Sequence, residues 1–324
     1  MRSQFIRTFS ARTTVTSNCL PIIHHHDYVS ELPKGHRFAM KKFHGVFNYL
    51  LKDNIIQMKQ VAEPEEVSAQ VAGLVHTPEY VEKFFTGKTS EKEQRRTGFK
   101  WNKGLLRRCR LEAGGTVLGC HLAKERGLAC STGGGTHHAF PSYGSGYCLL
   151  NDLAIAAENS VRTGVAERVL IVDLDVHQGD GTANIFEDSD SIFTFSMHCQ
   201  SNFPFVKQNS DLDVGLADHI GDAEYMRELQ THLPVILETF HPDLILYDAG
   251  VDPHVKDELG KLDLTDQGLF DRDYYVMNEG IRRGIPLVTV IGGGYSHDLD
   301  ELSIRHTIVH RAATKVQTRT DRYS

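Results

Sequence analysis

Short apolar runs recur along the chain and alternate with longer amphipathic stretches. Leu128 to Ser131, Val169 to Val172, Ile192 to Met197, Asp243 to Tyr247 and Pro286 to Ile291 have the length and β-branched content of strands buried on both faces. Pro21 to Tyr28 reads as a first strand running into a loop. A loop with a basic tip, Leu32 to Phe43, leads into a helix that continues to Leu51, and Pro64 to Val75 reads as another. His76 to Tyr80 is a turn that starts a helix with Pro78 near its first turn. Further helices are expected over Leu105 to Glu125, Asn151 to Thr163, Asp222 to Phe240, Thr265 to Arg283 and Asp300 to Ala313. Gly114, Gly115 and Gly119 would let the first of these pack closely. Gly87 to Lys103 is polar and charged, holds Trp101, and reads as a mobile surface loop. Strands alternating with helices predict a three-layer α/β/α fold around a mostly parallel sheet. No linker or repeat divides the chain, so residues 21–318 read as one domain and 319–324 as a tail.

Composition changes this picture little. Hydrophobic content of 40% and charged content of 24% are ordinary for a globular protein. No apolar run approaches the ~20 residues of a membrane span. A formal charge of −7 argues against sequence-independent nucleic-acid binding, which needs a basic face. The six cysteines form no CxxC pair and read as buried, reduced thiols in a reducing compartment, with Cys148 beside a candidate active-site loop. Residues 1–20 differ in kind. They carry Arg2, Arg7 and Arg12, many Ser and Thr, and no acid, which matches a transit peptide, mitochondrial before plastid, or else a disordered tail on a cytoplasmic or nuclear protein.

The chemistry concentrates at Arg168 to Gly181, RVLIVDLDVHQGDG. A buried strand rarely ends in three acids and a histidine, because each charge needs a partner, and a bound cation is the simplest one. Asp175 and His177 are two apart and project to one side of an extended backbone, as two ligands of one ion would. Asp173 shares that parity and could orient a neighbour or hold a second cation; Asp180 completes the cluster. Three other strand ends are unusual: Gly133 to Ala139 with the pair His137-His138, Asp248 to Asp252, and Gly292 to Tyr295. Ligands of open α/β sheets bind beyond the carboxyl ends of the strands, so these four loops are expected to meet. In the run His24 to His26, one histidine is expected to be buried and the others solvated.

Taken in order, HRFAM (His36 to Met40), HTPEY (His76 to Tyr80), GGGTHHAF (Gly133 to Phe140), SGYCLLND (Ser145 to Asp152), DLDVHQGDG (Asp173 to Gly181), GVD (Gly250 to Asp252), LGKLDLT (Leu259 to Thr265) and GGGY (Gly292 to Tyr295) give the chain its resemblance to the histone deacetylase and acetoin-utilisation superfamily, from about Ile22 to about Ala313. The form HQGDG resembles class IV deacetylases and their bacterial-type relatives most. The resemblance implies the arginase/deacetylase fold, with about eight parallel strands. It implies one Zn²⁺ on Asp175, His177 and Asp252, a ligand set that leaves a position open as catalytic zinc sites do, acting as Lewis acid on an amide. His138 would be general base and then acid, and His137 an electrostatic partner. Asp173 would stand behind His137 and Asp180 behind His138, while Tyr295 would donate to the oxyanion.

The same resemblance implies a structural K⁺ at Asp173, Asp175, His177, Ser196 and Met197. It also implies a substrate tunnel at Gly146, Tyr147, Phe203 and Gly293, and Arg37 buried at the pocket foot. The family usually has Phe where this chain has Tyr147, and its rim aspartate has no clear match in Arg95 to Lys103. The expected substrate is an acyl-lysine on a protein or peptide, acetyl or longer, or a small acylated amine such as an acetylpolyamine. Two other readings share the fold. A dimanganese ureohydrolase would need further Asp and His ligands. A catalytically silent binding protein would be expected to have lost a ligand, a histidine or the tyrosine, and none is missing.

Overall fold

Eight short strands make one parallel sheet: β1 (Ile22–Ile23), β2 (Val61–Ala62), β3 (Leu128–Ser131), β4 (Val169–Asp173), β5 (Ile192–Cys199), β6 (Leu212–Leu216), β7 (Leu244–Asp248) and β8 (Leu287–Val290), in the order β2-β1-β3-β8-β7-β4-β5-β6. The computed structural model describes residues 19–320; nearly all of the N-terminal segment with targeting composition, and residues 321–324, lie outside the described residues. The helices are α1 (Lys42–Lys52), α2 (Ala69–Ala72), α3 (Pro78–Thr86), α4 (Glu91–Thr97), α5 (Lys103–Arg126), α6 (Asp152–Thr163), α7 (Asp180–Phe186), α8 (Asp222–Phe240), α9 (Asp266–Arg282), α10 (Leu299–His306) and α11 (Ile308–Thr320). Among the described residues no helix is long and apolar enough to cross a membrane.

The sheet is α/β as its pattern predicts, and its order positions the site. β3, β8, β7 and β4 are successive neighbours, so the four chemically unusual strand ends lie side by side although they are far apart in sequence. Every residue of these four strands is buried, which requires cover on both faces. Helix α5 packs with α6 and against β3 and β8; α9 packs with α8 and α11. The glycines of α5 permit that approach. A Cβ at Gly114 would stand 1.9 Å from the Glu65 carbonyl oxygen, and one at Gly119 2.4 Å from Val288. The apolar residues Val169 to Val172 of β4 are fully buried, each contributing about 1.5–3 kcal/mol, enough to carry a strand that ends in charge.

Several local expectations give way to packing. Pro64 to Val75 is not one helix: only Ala69–Ala72 is helical, because the preceding segment runs against α5, where the Val67 N–H donates to the Arg110 carbonyl. Strands β2 and β6 and helix α7 are further elements; β2 is too short to show periodicity. The final helix breaks at Thr307 and resumes to Thr320. Gly87 to Lys103 is not an open loop but contains α4 and packs against α3. Ser90 and Glu93 form a capping box that starts α4, and the Trp101 indole N–H donates to the Phe84 carbonyl at 2.7 Å. In the histidine run both His24 and His25 are buried and only His26 is exposed, since His24 stacks on Phe47 and bonds Thr132 at 2.7 Å. The six cysteines form no disulfide among the described residues; Cys148 is buried, and burial holds its thiol well above the ordinary range.

His76 joins two parts of the frame. Its Nδ1–H donates to the Phe140 carbonyl at 3.0 Å, and its Nε2 accepts the Asn151 N–H at 3.0 Å, so the ring is neutral in the folded chain. Burial lowers its pKa to about 4. The unfolded chain therefore takes up this proton first, near pH 6.5, and the folded state loses stability as pH falls from there to about 4, by up to about 3 kcal/mol. Denaturant melts of wild type and His76→Gln should show a stability gap at pH 7 that narrows toward pH 4; a gap independent of pH would contradict a buried neutral imidazole.

Candidate active site

The turn after β4 delivers Asp175 and His177 to one side, as their spacing predicts. His177 Nδ1 lies 3.0 Å from Asp175 Oδ1 and 3.2 Å from Asp252 Oδ2, the latter from the loop after β7. One donor atom from each of these three residues lies within 4.8 Å of the others. The remaining carboxylate oxygens are fixed by backbone: Gly293 N–H donates to Asp175 Oδ2 and Val176 N–H to Asp252 Oδ1, each at 2.8 Å. A side chain at Gly293 would strike this set, its Cβ falling 2.2 Å from Asp252 Oδ2. Asp252 Oδ2 is buried, and although His177 Nδ1 lies 3.2 Å away it makes no well-aligned hydrogen bond among the described residues. Two carboxylates, one imidazole nitrogen and an orphaned buried oxygen fit a divalent cation with an open coordination position. Without a cation the set holds protons. Burial alone would lower the His177 pKa, but the hydrogen bond to Asp175 and the adjacent Asp252 carboxylate raise it to about 10; burial, and then Asp175, push Asp252 up to about 7.

Beside this set stand two histidine–carboxylate pairs. His137 Nδ1–H donates to Asp173 Oδ2 at 2.7 Å, and His138 Nδ1–H to Asp180 Oδ1 at 2.6 Å, with the two rings 4.1 Å apart. Their electrostatics diverge. Burial opposes charge on His137, yet the carboxylates of Asp173 and Asp175 hold it well above its ordinary value. Burial and the neighbouring His137 lower His138 to about 4 despite Asp180. One ring is thus cationic and the other neutral and able to accept a proton at Nε2, a separation of titrations typical of acid–base sites. The Tyr295 ring lies 6.2 Å from His177 and 6.0 Å from Tyr147.

His137, His138, Asp175 and Tyr295 line one pocket of about 390 Å³ of empty space, open to solvent, with Gly146, Tyr147 and Gly293 in its wall. Phe203 stands 4.9 Å from His138, ring to ring. Tyr147 has φ +63, a strained conformation for a non-glycine residue, and its ring packs on Phe99 at 5.6 Å and Phe38 at 5.4 Å. The stretch expected to be a mobile loop therefore buttresses Tyr147 in the pocket wall. Ser196 pairs with Asp173 across β4 and β5, with Met197 buried beside it. Arg37 is the exception. It is exposed in the turn before α1, and two buried cations stand nearer the pocket: Arg108, paired with Glu112 at 2.8 Å, and Lys42, whose ammonium donates to the Gly292 carbonyl at 3.1 Å. Arg37 has no buried acid to accompany it, whereas Arg108 has one a helical turn away.

Other functional residues went unrecognised in the sequence. Asp152 accepts from Gly135 N–H, Thr136 N–H and the Thr136 and Thr116 hydroxyls, and so shapes the loop that carries His137 and His138. Asn151 Nδ2 donates to the Ala139 carbonyl, and Asp257 accepts the Tyr295 N–H at 2.7 Å. The ND of SGYCLLND was the available signal for the first two. Asp248 is fully buried, its carboxylate oxygens lack hydrogen-bond partners among the described residues, and it lies 4.0 Å from His137 Nδ1. Burial, then Asp173, hold its carboxyl well above the usual range.

Residues 36–310 match the family model of the histone deacetylase domain. An uncharacterized protein of Picosynechococcus is 50% identical over 91% of this chain and 99% of its own length. Histone deacetylase 2 of Arabidopsis thaliana is 31% identical over 82% of this chain and 70% of its own length. The acetoin utilization protein AcuC of Staphylococcus aureus is 29% identical over 81% and 73%. Among solved structures, the HDA15 HD domain superposes with a TM-score of 0.79 at 22% identity, covering 94% of this chain and 92% of that one, a likeness of fold.

Because protons occupy the three-residue set when no cation does, cation binding must release them. Calorimetric titration with Zn²⁺ should give one site per chain, with affinity rising about tenfold per pH unit between 7 and 9 and more steeply below 7, where Asp252 also gives up a proton. Asp252→Asn should abolish the site. Affinity that is flat with pH would exclude His177 as a displaced acid.

Proposed function

The chain belongs to the histone deacetylase family, and from that premise we propose that it is a metal-dependent deacylase hydrolysing the side-chain amide of an acyl-lysine in a protein or peptide. The observation that carries this reading is that the Asp175, His177 and Asp252 donors come together beside two histidine–aspartate pairs, with Asp175, His137, His138 and Tyr295 lining one pocket open to solvent. Asp175, His177 and Asp252 would hold the cation, zinc by the donor set. When bound, it would polarise the amide carbonyl and make water a competent nucleophile at neutral pH.

The chain's own residues do the rest. Asp180 holds the His138 proton on Nδ1, leaving Nε2 to take a proton from the attacking water as the new C–O bond forms. The same nitrogen then returns that proton to the lysine amine as the C–N bond breaks, which leaves a carboxylate and a free amine. His137, hydrogen-bonded to Asp173, would offset the negative charge that develops beside it. The Tyr295 hydroxyl donates to the tetrahedral oxyanion, and Asp257 fixes its backbone for that purpose. Tyr147, Phe203, Gly146 and Gly293 would wall the acyl-lysine stem. A monovalent cation under Asp173, Asp175, His177, Ser196 and Met197, K⁺ by analogy with the family, belongs to the same proposal and is supported by the pairing of Asp173 with Ser196.

On zinc-loaded protein, Tyr295→Phe should lower kcat on an acetyl-lysine peptide by about 100-fold or more with metal content unchanged. Chelation should abolish turnover and added zinc restore it. Full activity in the metal-replete Tyr295→Phe enzyme would sink the assigned role of the tyrosine.

A further inference from the structure

The connection between β5 and β6 presents a feature that the chemistry above does not use. Phe205 is 88% exposed and Val206 77% exposed. The other large exposed apolar residues among those described, Met58, Val235, Val255 and Ile304, are less exposed and occur singly. Scattered single residues of that kind are ordinary on a surface; an adjacent pair presented in full is not.

The exposure is built in. Asn202 is buried, its Nδ2 donates to the Leu259 carbonyl at 2.7 Å, and its Oδ1 accepts the Lys261 N–H at 3.1 Å. The Lys207 ammonium donates to the Asn202 and Pro204 carbonyls, both at 2.7 Å, which closes the loop under the two apolar residues. Gln208 N–H donates to Gln178 Oε1, and Gln178 Nε2 donates back to the Gln208 carbonyl. Gln178 directly follows His177, so the loop is tied to the turn that carries the catalytic cluster. Phe205 and Val206 are therefore held outward by a frame fixed at both ends.

Their position defines what they can meet. Phe203 lies 4.9 Å from His138, and Phe205 stands one ring further out, 6.4 Å from Phe203. A side chain one residue away from an acyl-lysine seated in the pocket starts about 3.8 Å along the chain, which brings it within reach of Phe205. We propose that Phe205 and Val206 form an apolar lip that selects polypeptide substrates carrying an apolar side chain next to the acyl-lysine; this rests on the deacylase reading above. A small acylated amine has no such neighbour and gains nothing from the lip. A membrane is the poorer partner: the patch is two residues wide, the Lys207 ammonium is spent on carbonyls, and the chain's formal charge is −7.

The test compares acetyl-lysine peptides flanked by Leu or Phe with the same peptides flanked by Gly or Asp. It uses full-length, zinc-loaded wild type and a Phe205→Ser/Val206→Ser double variant matched for thermal unfolding. Wild type should prefer apolar neighbours by about tenfold in kcat/KM, and the double variant by no more than about twofold. Turnover of doubly capped acetyl-lysine, which has no neighbours, should be equal in both. No preference in wild type, or one that survives in the double variant, overturns the lip. If no substrate is turned over, the deacylase reading fails. Anisotropy of fluorescein-labelled peptides still decides the lip by the same tenfold comparison. Loss of sedimentation with phosphatidylcholine/phosphatidylglycerol vesicles, or of dimerisation, in the double variant without peptide discrimination overturns the proposal in favour of a membrane surface or a second copy of the chain.

Discussion

Five aspartates, Asp173, Asp175, Asp180, Asp248 and Asp252, are buried at and beyond the ends of the central strands, and their mutual repulsion and lost hydration are the constraint that the fold must satisfy. The structure answers with local compensation. Asp173 and Asp180 each take a histidine, Asp175 and Asp252 share a third, and backbone N–H groups from Gly293 and Val176 supply further partners. Removing one partner from such a cluster costs far more than the pair contributes, because a buried charge is left alone. The residue of imbalance, an orphaned oxygen on Asp252, points to where a cation would complete the account.

The same constraint explains the glycines. Backbone passes close against the carboxylates where a Cβ would collide with them, and at Gly293 its N–H donates to Asp175. Gly293 sits against Asp175 and Asp252, Gly250 against Asp175, and Gly292 against Asp248. Around this centre a ring of buried polar residues holds the loops: Asp152 and Asn151 under the paired histidines, Asp257 behind Tyr295, and His76 between the Phe140 and Asn151 segments. Preorganisation of this kind lets the neutral ring of His138 and the cationic ring of His137 stand 4.1 Å apart in different protonation states.

The wall of the pocket lies farther out and in less regular structure. Tyr147 lines the pocket in a left-handed conformation, braced by Phe99 from the segment after α4, and Phe203 from the loop between β5 and β6 stands against His138. Both are loop residues fixed by contacts with distant parts of the chain, so rigid walls arise without strand or helix geometry at those positions.

Much of this was legible beforehand, for a physical reason. Strand length, helix period, N-caps and the two-residue spacing of Asp175 and His177 are local properties, and β4, α5, α8 and the projection of those two side chains follow from them. The α4 capping box was also written locally, in Ser90 and Glu93, but its polar run masked it. What tertiary structure alone decided is which groups lose water. Arg37 and Arg108 are alike in composition, and only the placement of Glu112 and Tyr28 makes Arg108 the buried one. Asp248 reads as the end of a strand until the glycine loops close over it. The residues behind the chemistry, Asp152 and Asp257, gain their roles only when strands remote in sequence become neighbours in the sheet. Periodicity and spacing act over a few residues, while burial and hydrogen-bond partnership depend on segments tens to hundreds of residues away.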